Sequence, residues 1–324
     1  MRLALALALL ATPALAGIEE AVEGHLLPGV AAFAEATGAL ARAAEADCTA
    51  EALRPAYLAA WDPWAPIADL RLGPTEPAAL TISYWPDERG AGAKTLRGLI
   101  AAEDPAGRDP AAYAEVSAAA RGLPALDLLL GDPDLSAYEQ GSYICALVQT
   151  VAADLAAQGQ ALAEAWPAEA EALATAGAEG NASYLSEEEA FRALYTQLLS
   201  GLEFTADTRL GRPLGEPDRP RPTRAEAWRS GRPLPNALAS AEAAVRVAEL
   251  LADRPLPATE AALDQMRRAA AAIDDPSFQD VENPTARLKL EILQQRVRAL
   301  LDAVEAEVGS ARGLQPGFNS RDGD

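Results

Sequence analysis

The sequence predicts an all-α chain of long antiparallel helices joined by short turns, a bundle architecture. After Ser186, apolar residues fall at Phe191, Leu194, Tyr195, Leu198, Leu199 and Leu202, the three-and-four spacing that lines one helical face. Ser186 and Glu189 stand before that run as a capping box. Strand-like alternation is scarce. Periodicity has to carry the case: lysine occurs only at Lys94 and Lys289 while arginine and alanine abound, a coding bias that makes alanine richness weak evidence for helix.

Taken in order, the chain opens with Met1-Arg2, an apolar run from Leu3 to Leu10 and the small-residue close Ala14-Leu15-Ala16, the pattern of a cleavable secretory signal over residues 1–16. The apolar stretch is far shorter than the roughly 20 residues that span a bilayer. No cysteine follows the expected cleavage after Ala16, so no lipid anchor is expected, and the mature chain is placed in the periplasm. Helical periodicity then runs through residues 18–46 and 50–61. Residues 63–92, with five prolines and the polar turn Pro86-Asp87-Glu88-Arg89-Gly90, read as a long structured excursion, which in a compact domain is usually functional. A helix is expected over 135–166. The break Ala176-Gly177-Ala178-Glu179-Gly180-Asn181 marks a boundary between a first bundle, 17–175, and a second, 176–324. Beyond the helix that follows Ser186, a second proline-rich excursion spans 209–235, with a short capped turn beginning at Thr223. Helices are expected over 238–251, 259–273 and 285–308.

Composition limits the function classes. A formal net charge of −21 excludes nucleic acid as a partner, because binding there rests on a basic surface that neutralises phosphates. The two cysteines, Cys48 and Cys145, are most simply one disulfide in an oxidising compartment, the alternative being two buried thiols. Closing that loop would stabilise by about 4 to 5 kcal/mol in the chain-entropy model. No G-x-S-x-G, C-x-x-C or phosphate-loop motif occurs.

Four pieces in register carry a resemblance: Arg71-Leu72-Gly73-Pro74 with Tyr84-Trp85-Pro86-Asp87; Arg121-Gly122-Leu123-Pro124-Ala125-Leu126-Asp127; Arg224-Ala225-Glu226-Ala227-Trp228-Arg229-Ser230-Gly231; and the terminal Gly317-Phe318-Asn319-Ser320-Arg321-Asp322-Gly323-Asp324. Together they resemble the imelysin-like family of bacterial periplasmic proteins, named for an insulin-cleaving peptidase and including iron-uptake-associated members. The resemblance implies one imelysin-like domain over 17–324, made of two bundles packed side by side with the conserved loops meeting between them. The binding site it implies comprises Arg71, Glu76, Trp85, Asp87, Asp127, Glu226, Trp228, Arg229, Asn319 and Asp322.

The family motif GxHxxE places a His and a Glu three apart, suited to one metal ion. Here that register reads Gly122, Pro124 and Asp127. Proline offers no ligand atom. The only histidine, His25, lies in the first mature helix and reads as a helix-surface or interface residue, so a His-rich zinc site, which needs about three protein ligands, is impossible. If Asp127 held a cation with Glu76, Asp87 or Asp322, the all-oxygen set would suit calcium, magnesium or ferric iron. The competing structural reading makes Pro124 and Asp127 a helix start, with the acid complementing the helix dipole. In that reading Trp85 and Trp228 are interface core, and Asp87 pairs with Arg229. The function expected is a periplasmic binding or accessory protein, non-proteolytic, serving iron or other metal acquisition. It would hold a ligand between the bundles and work with a periplasmic or outer-membrane uptake partner, and a metal ion stays open as cofactor. The alternatives are a metallopeptidase of the imelysin type and a protein that binds a peptide or partner helix.

Overall fold

The computed structural model describes residues 13–313; residues 1–12 of the expected signal, and Asn319 and Asp322, lie outside the described residues. Among the described residues there is no strand, only an isolated antiparallel bridge between Glu216 and Arg219. No helix there is long and apolar enough to cross a membrane.

Helix α1 (Pro13–Ala21) passes through a wider π turn, Val22–Leu26, into α2 (Leu27–Ala46). Its buried positions, among them Ile18, Val22, Leu26, Val30, Phe33, Leu40 and Ala44, recur every three or four residues. The helix ends where Asp47 turns extended (φ −151°) and its carboxylate accepts the Thr49 N–H at 2.9 Å. Helix α3 (Ala50–Trp64) follows, one turn longer than its apolar pattern suggests, so Pro63 lies within it. The first excursion is not all loop: α4 (Thr75–Ile82) interrupts it before α5 (Ala91–Ala102). A single-turn α6 (Pro110–Tyr113) and then α7 (Gly122–Gly131) lead to the longest helix, α8 (Tyr143–Ala174).

Helix α8 begins later than the 135–166 expectation. Gly141 takes a left-handed φ of +79° and the Ser142 hydroxyl accepts the Cys145 N–H at 3.2 Å, so the cap sits there. Helix α2 packs between α3 and α8. Its approach to α8 needs Gly159, where a Cβ would lie 2.5 Å from Thr37 Oγ1 and 3.3 Å from Ala34 Cα. Cys48 and Cys145 are disulfide-bonded across 97 residues of sequence, with Cα atoms 5.4 Å apart.

Helix α9 (Glu187–Phe204) starts at the capping box: Glu189 N–H donates to Ser186 Oγ at 3.1 Å, and Glu189 Oε2 accepts the Leu185 N–H at 2.8 Å. A second π turn (Thr205–Leu210) and the short α10 (Gly211–Leu214) open the second excursion. Thr223 does not cap the turn there; residues 222–224 form one 3-10 turn without a side-chain cap. The chain continues as α11 (Pro233–Ala252), α12 (Pro257–Ala270) and α13 (Pro284–Val304), the last capped by Asn283, whose Oδ1 accepts the Thr285 N–H at 2.8 Å. Helices α9, α11, α12 and α13 pack on one another, and α1 crosses to pack on α11 and α9.

One buried charge ties early to late sequence. Arg209, inside the second π turn, donates through Nη1 and Nη2 to the two oxygens of Asp69 at 2.7 and 3.0 Å, and through Nε to Glu226 at 3.1 Å. It also bonds Thr205 Oγ1 at 3.1 Å and lies 4.8 Å from the Phe204 ring centroid. Burial opposes the charge, but the two carboxylates outweigh it and raise the guanidinium pKa. The Ser240 hydroxyl donates to Asp69, and Asn236 Nδ2 donates to Glu226 at 3.1 Å.

Two outcomes follow. Thiol titration of denatured, unreduced protein should find no free cysteine, and reduction should cost up to about 4 to 5 kcal/mol of stability; two titratable thiols would exclude the bridge. Arg209→Met strands Asp69 and Glu226 as uncompensated buried charges and should lose about 3 to 5 kcal/mol in urea denaturation; a loss under about 1 kcal/mol, the worth of an exposed pair, would mean the network is solvated.

Candidate functional site

The start of α7 is shaped by one glycine. Gly122 has φ +67°, and a Cβ there would stand 2.2 Å from Ile82 O and 2.3 Å from Thr81 O. Only glycine lets α7 begin against the end of α4. Arg121, just before it, is held by Asp154 on α8 through Nε at 2.9 Å and Nη2 at 2.6 Å. Tyr57 on α3 donates to Leu123 O at 3.1 Å and accepts from Trp61 Nε1 at 2.9 Å. These contacts fix α7 against α3 and α8.

Beside this corner lies a cavity of about 280 Å³. One side is Trp61 of α3, the connection from Tyr84 to Gly90, and Pro124, Asp127 and Leu128 of α7. The other is Arg212 of α10 with Thr223, Arg224, Glu226, Trp228 and Arg229 of the second excursion. Of the residues singled out in the sequence, Trp85, Asp87, Pro124, Asp127, Glu226, Trp228 and Arg229 line it. Arg71 stands behind it, 5.9 Å from the centroid of Phe204, whose ring meets Trp85 edge-on at 5.9 Å. Glu76 is exposed on α4 and does not line it. Trp61 and Arg212 escaped sequence reading: Trp61 reads as helix core, and Arg212 is one arginine among several in a proline-rich stretch.

The expected ion pair between Asp87 and Arg229 does not form. Asp87 instead caps α5, its two oxygens accepting the Ala91 and Gly92 N–H groups at 2.9 and 2.8 Å. Arg229 Nη2 donates to Asp132 at 3.1 Å, its Nη1 lies 3.8 Å from Asp127, and its guanidinium sits 4.4 Å from the Trp228 ring centroid. Glu88 pairs with Arg212 Nη1 at 3.0 Å.

The helix-start reading of Asp127 is also corrected. Helix α7 begins at Gly122, so Pro124 is its third residue and Asp127 its sixth, past the first turn where an acid meets the dipole. Asp127 is almost fully buried and accepts the Ser230 hydroxyl. Burial pushes its carboxyl up to about 6, and the Ser230 bond and the Arg229 charge only partly offset it.

A metal at the motif finds a poor donor set. Among the described residues no three His, Cys, Asp or Glu side chains come together as a metal site. Pro124 supplies no ligand, and Asp127 is already engaged by Ser230 and Arg229. His25 is turned to Pro66 O, 3.2 Å from its Nε2, and burial lowers its pKa.

The profile of the imelysin family matches residues 26–304. No curated protein matches. Two solved structures are similar in fold. An imelysin-like protein from Psychrobacter arcticum 273-4 has a TM-score of 0.76 at 18% identity, covering 95% of this chain and 98% of its own. A protein from Parabacteroides distasonis ATCC 8503, named as an iron-regulated protein A precursor, has a TM-score of 0.70 at 13% identity, covering 94% and 97%.

Asp127 gives the fold a measurable pH dependence. With a folded pKa near 6 and an unfolded one near 4, the folded state holds the proton more tightly. The stability this contributes is fully present below about pH 4 and is lost as pH rises through about 6, a change of about 3 kcal/mol. Asp127→Asn keeps an oxygen for Ser230 and removes the titration. Urea midpoints between about pH 4 and pH 7 should therefore fall less in the variant than in the parent; parallel curves would assign the dependence to other groups.

Proposed function

Since the chain belongs to the imelysin family, we propose that it is a periplasmic binding or accessory protein that holds a ligand in the cavity between α3, α7 and residues 212–229, and that it does not cleave peptides. The first bundle, 17–175, and the second, 176–324, supply its two sides. The observation that carries this reading is the state of Asp127. The one acid left from the family motif is buried and engaged by Ser230 and Arg229, while the residue that would share a metal with it is Pro124. Metal-assisted hydrolysis needs an ion with an open coordination position for water or substrate. What this corner presents instead is a pre-formed concavity walled by aromatics and a few fixed charges, the usual form of a small-ligand site.

The secretory signal over residues 1–16 supports the periplasmic placement. The link to iron or other metal acquisition, through a periplasmic or outer-membrane uptake partner, draws on the family's iron-uptake-associated members and on the name carried by the Parabacteroides distasonis protein.

Incubated with unfolded polypeptides, the purified mature protein should leave them intact with or without added zinc. Cleavage that a chelator stops would overturn the non-proteolytic reading, and expression indifferent to metal starvation would remove the link to metal acquisition.

A further inference from the structure

We propose that this cavity takes a small anionic ligand with a flat apolar body, an aromatic carboxylate, gripped at its charged end by Arg224 and by the partly exposed guanidinium groups of Arg212 and Arg229. This rests on the binding reading above and names the ligand class for the same site.

The hydrogen-bonding capacity of the walls decides the sign. Every carboxylate lining the cavity is engaged within the protein. Asp87 accepts two backbone N–H groups, Glu88 pairs with Arg212, Asp127 accepts from Ser230, and Glu226 accepts from Arg209 and Asn236. The donors are not used up. The side chains of Arg212 and Arg229 are partly exposed and each commits one terminal nitrogen to a hydrogen bond, Arg212 Nη1 to Glu88 and Arg229 Nη2 to Asp132, so each guanidinium keeps N–H groups to spare. Arg224 lines the cavity with a side chain that has no partner among the described residues. A cation entering here would meet arginines beside acids already engaged within the protein, whereas a carboxylate would pair with guanidinium groups that keep N–H groups to spare.

Charge along the chain points the same way. In a protein of net charge −21, residues 209–232 hold seven arginines against three acids, Glu216, Asp218 and Glu226. The side chains of Arg219, Arg221 and Arg224 have no partner among the described residues. Of these, Arg212, Arg224 and Arg229 line the cavity, and on a chain whose long-range field repels anions they act at short range, within roughly a Debye length. The body of the ligand is set by the indoles of Trp61, Trp85 and Trp228. Tryptophan faces favour flat apolar groups, and a volume of about 280 Å³ limits the occupant to a small molecule.

Calorimetric titration of the mature protein with naphthoate, naphthamide and naphthylmethylamine separates charge from shape, since the three share one ring system. Naphthoate should bind about tenfold or more tightly than naphthamide, the scale of one charge-assisted hydrogen bond, and the amine should not bind measurably at the same concentrations. Arg224→Gln, at an exposed position without a hydrogen-bond or ion-pair partner among the described residues, keeps the fold; it should weaken naphthoate about tenfold and leave naphthamide unchanged. Equal binding of all three, preference for the amine, no binding of any, or no effect of Arg224→Gln on naphthoate would each overturn the proposal. Preference for the amide or amine would leave the binding reading standing with another ligand class, while chelator-sensitive proteolysis would remove that reading whatever naphthoate does.

Discussion

A guanidinium buried at Arg209 constrains where several distant parts of the chain can sit. Removing a charge from water costs several kcal/mol unless partners surround it, and here they come from four places in the sequence. Asp69 follows α3, Thr205 lies in the same π turn, Glu226 lies in the second excursion and Ser240 is on α11. Each partner is itself supported, Asp69 by Ser240 and Glu226 by Asn236. Asn236 in turn accepts from Arg232 at 2.9 Å, and Arg232 reaches Asp62 at 2.8 Å. Moving any one of these segments would leave a buried charge or amide unsatisfied, so the second excursion is held in register with the end of α3. The cavity lies between those two pieces, and its shape depends on that register.

At the motif corner, the loss of a histidine has consequences beyond one missing ligand. Pro124 sits in the first turn of α7, where its missing N–H would be unpaired anyway. Asp127 is buried, with a raised pKa, a hydroxyl donor from Ser230 and an arginine at 3.8 Å. The motif position joins α7 to the turn at Trp228–Ser230 through the Ser230 hydroxyl. The acids that line the cavity are engaged in holding its walls together, while its arginines keep N–H groups to spare.

How far the sequence reaches can be judged residue by residue. Helix content and most helix bounds were legible because burial on one helical face imposes a period that survives any tertiary arrangement, as the run from Phe191 to Leu202 and the Ser186 cap show. The disulfide was legible because two cysteines leave a single pairing. Trp85, Asp87, Glu226, Trp228 and Arg229 were legible as a set, because aromatics and charges concentrated in proline-rich stretches have few purely structural uses. Their partners were not. Asp87 and Arg229 look like a natural pair by charge, yet each finds a nearer partner, the backbone of α5 and the carboxylate of Asp132, because hydrogen bonding is decided by distances of tenths of an ångström that no spacing encodes. Glu76 faces solvent for a similar reason: which face of a one-turn-longer or shorter helix points inward depends on what packs against it. By itself, then, the sequence determined an all-α chain, a resemblance to the imelysin family carried by four motifs in register, one disulfide and a motif that cannot assemble a histidine-based metal site, since these follow from local periodicity, shared motifs, residue count and side-chain chemistry. Only the tertiary structure decided that Asp127 is buried against Ser230, that Arg209 knots the late excursion to Asp69, and that the cavity's unspent donors are arginines, since each of these depends on groups far apart in sequence meeting at hydrogen-bond distance.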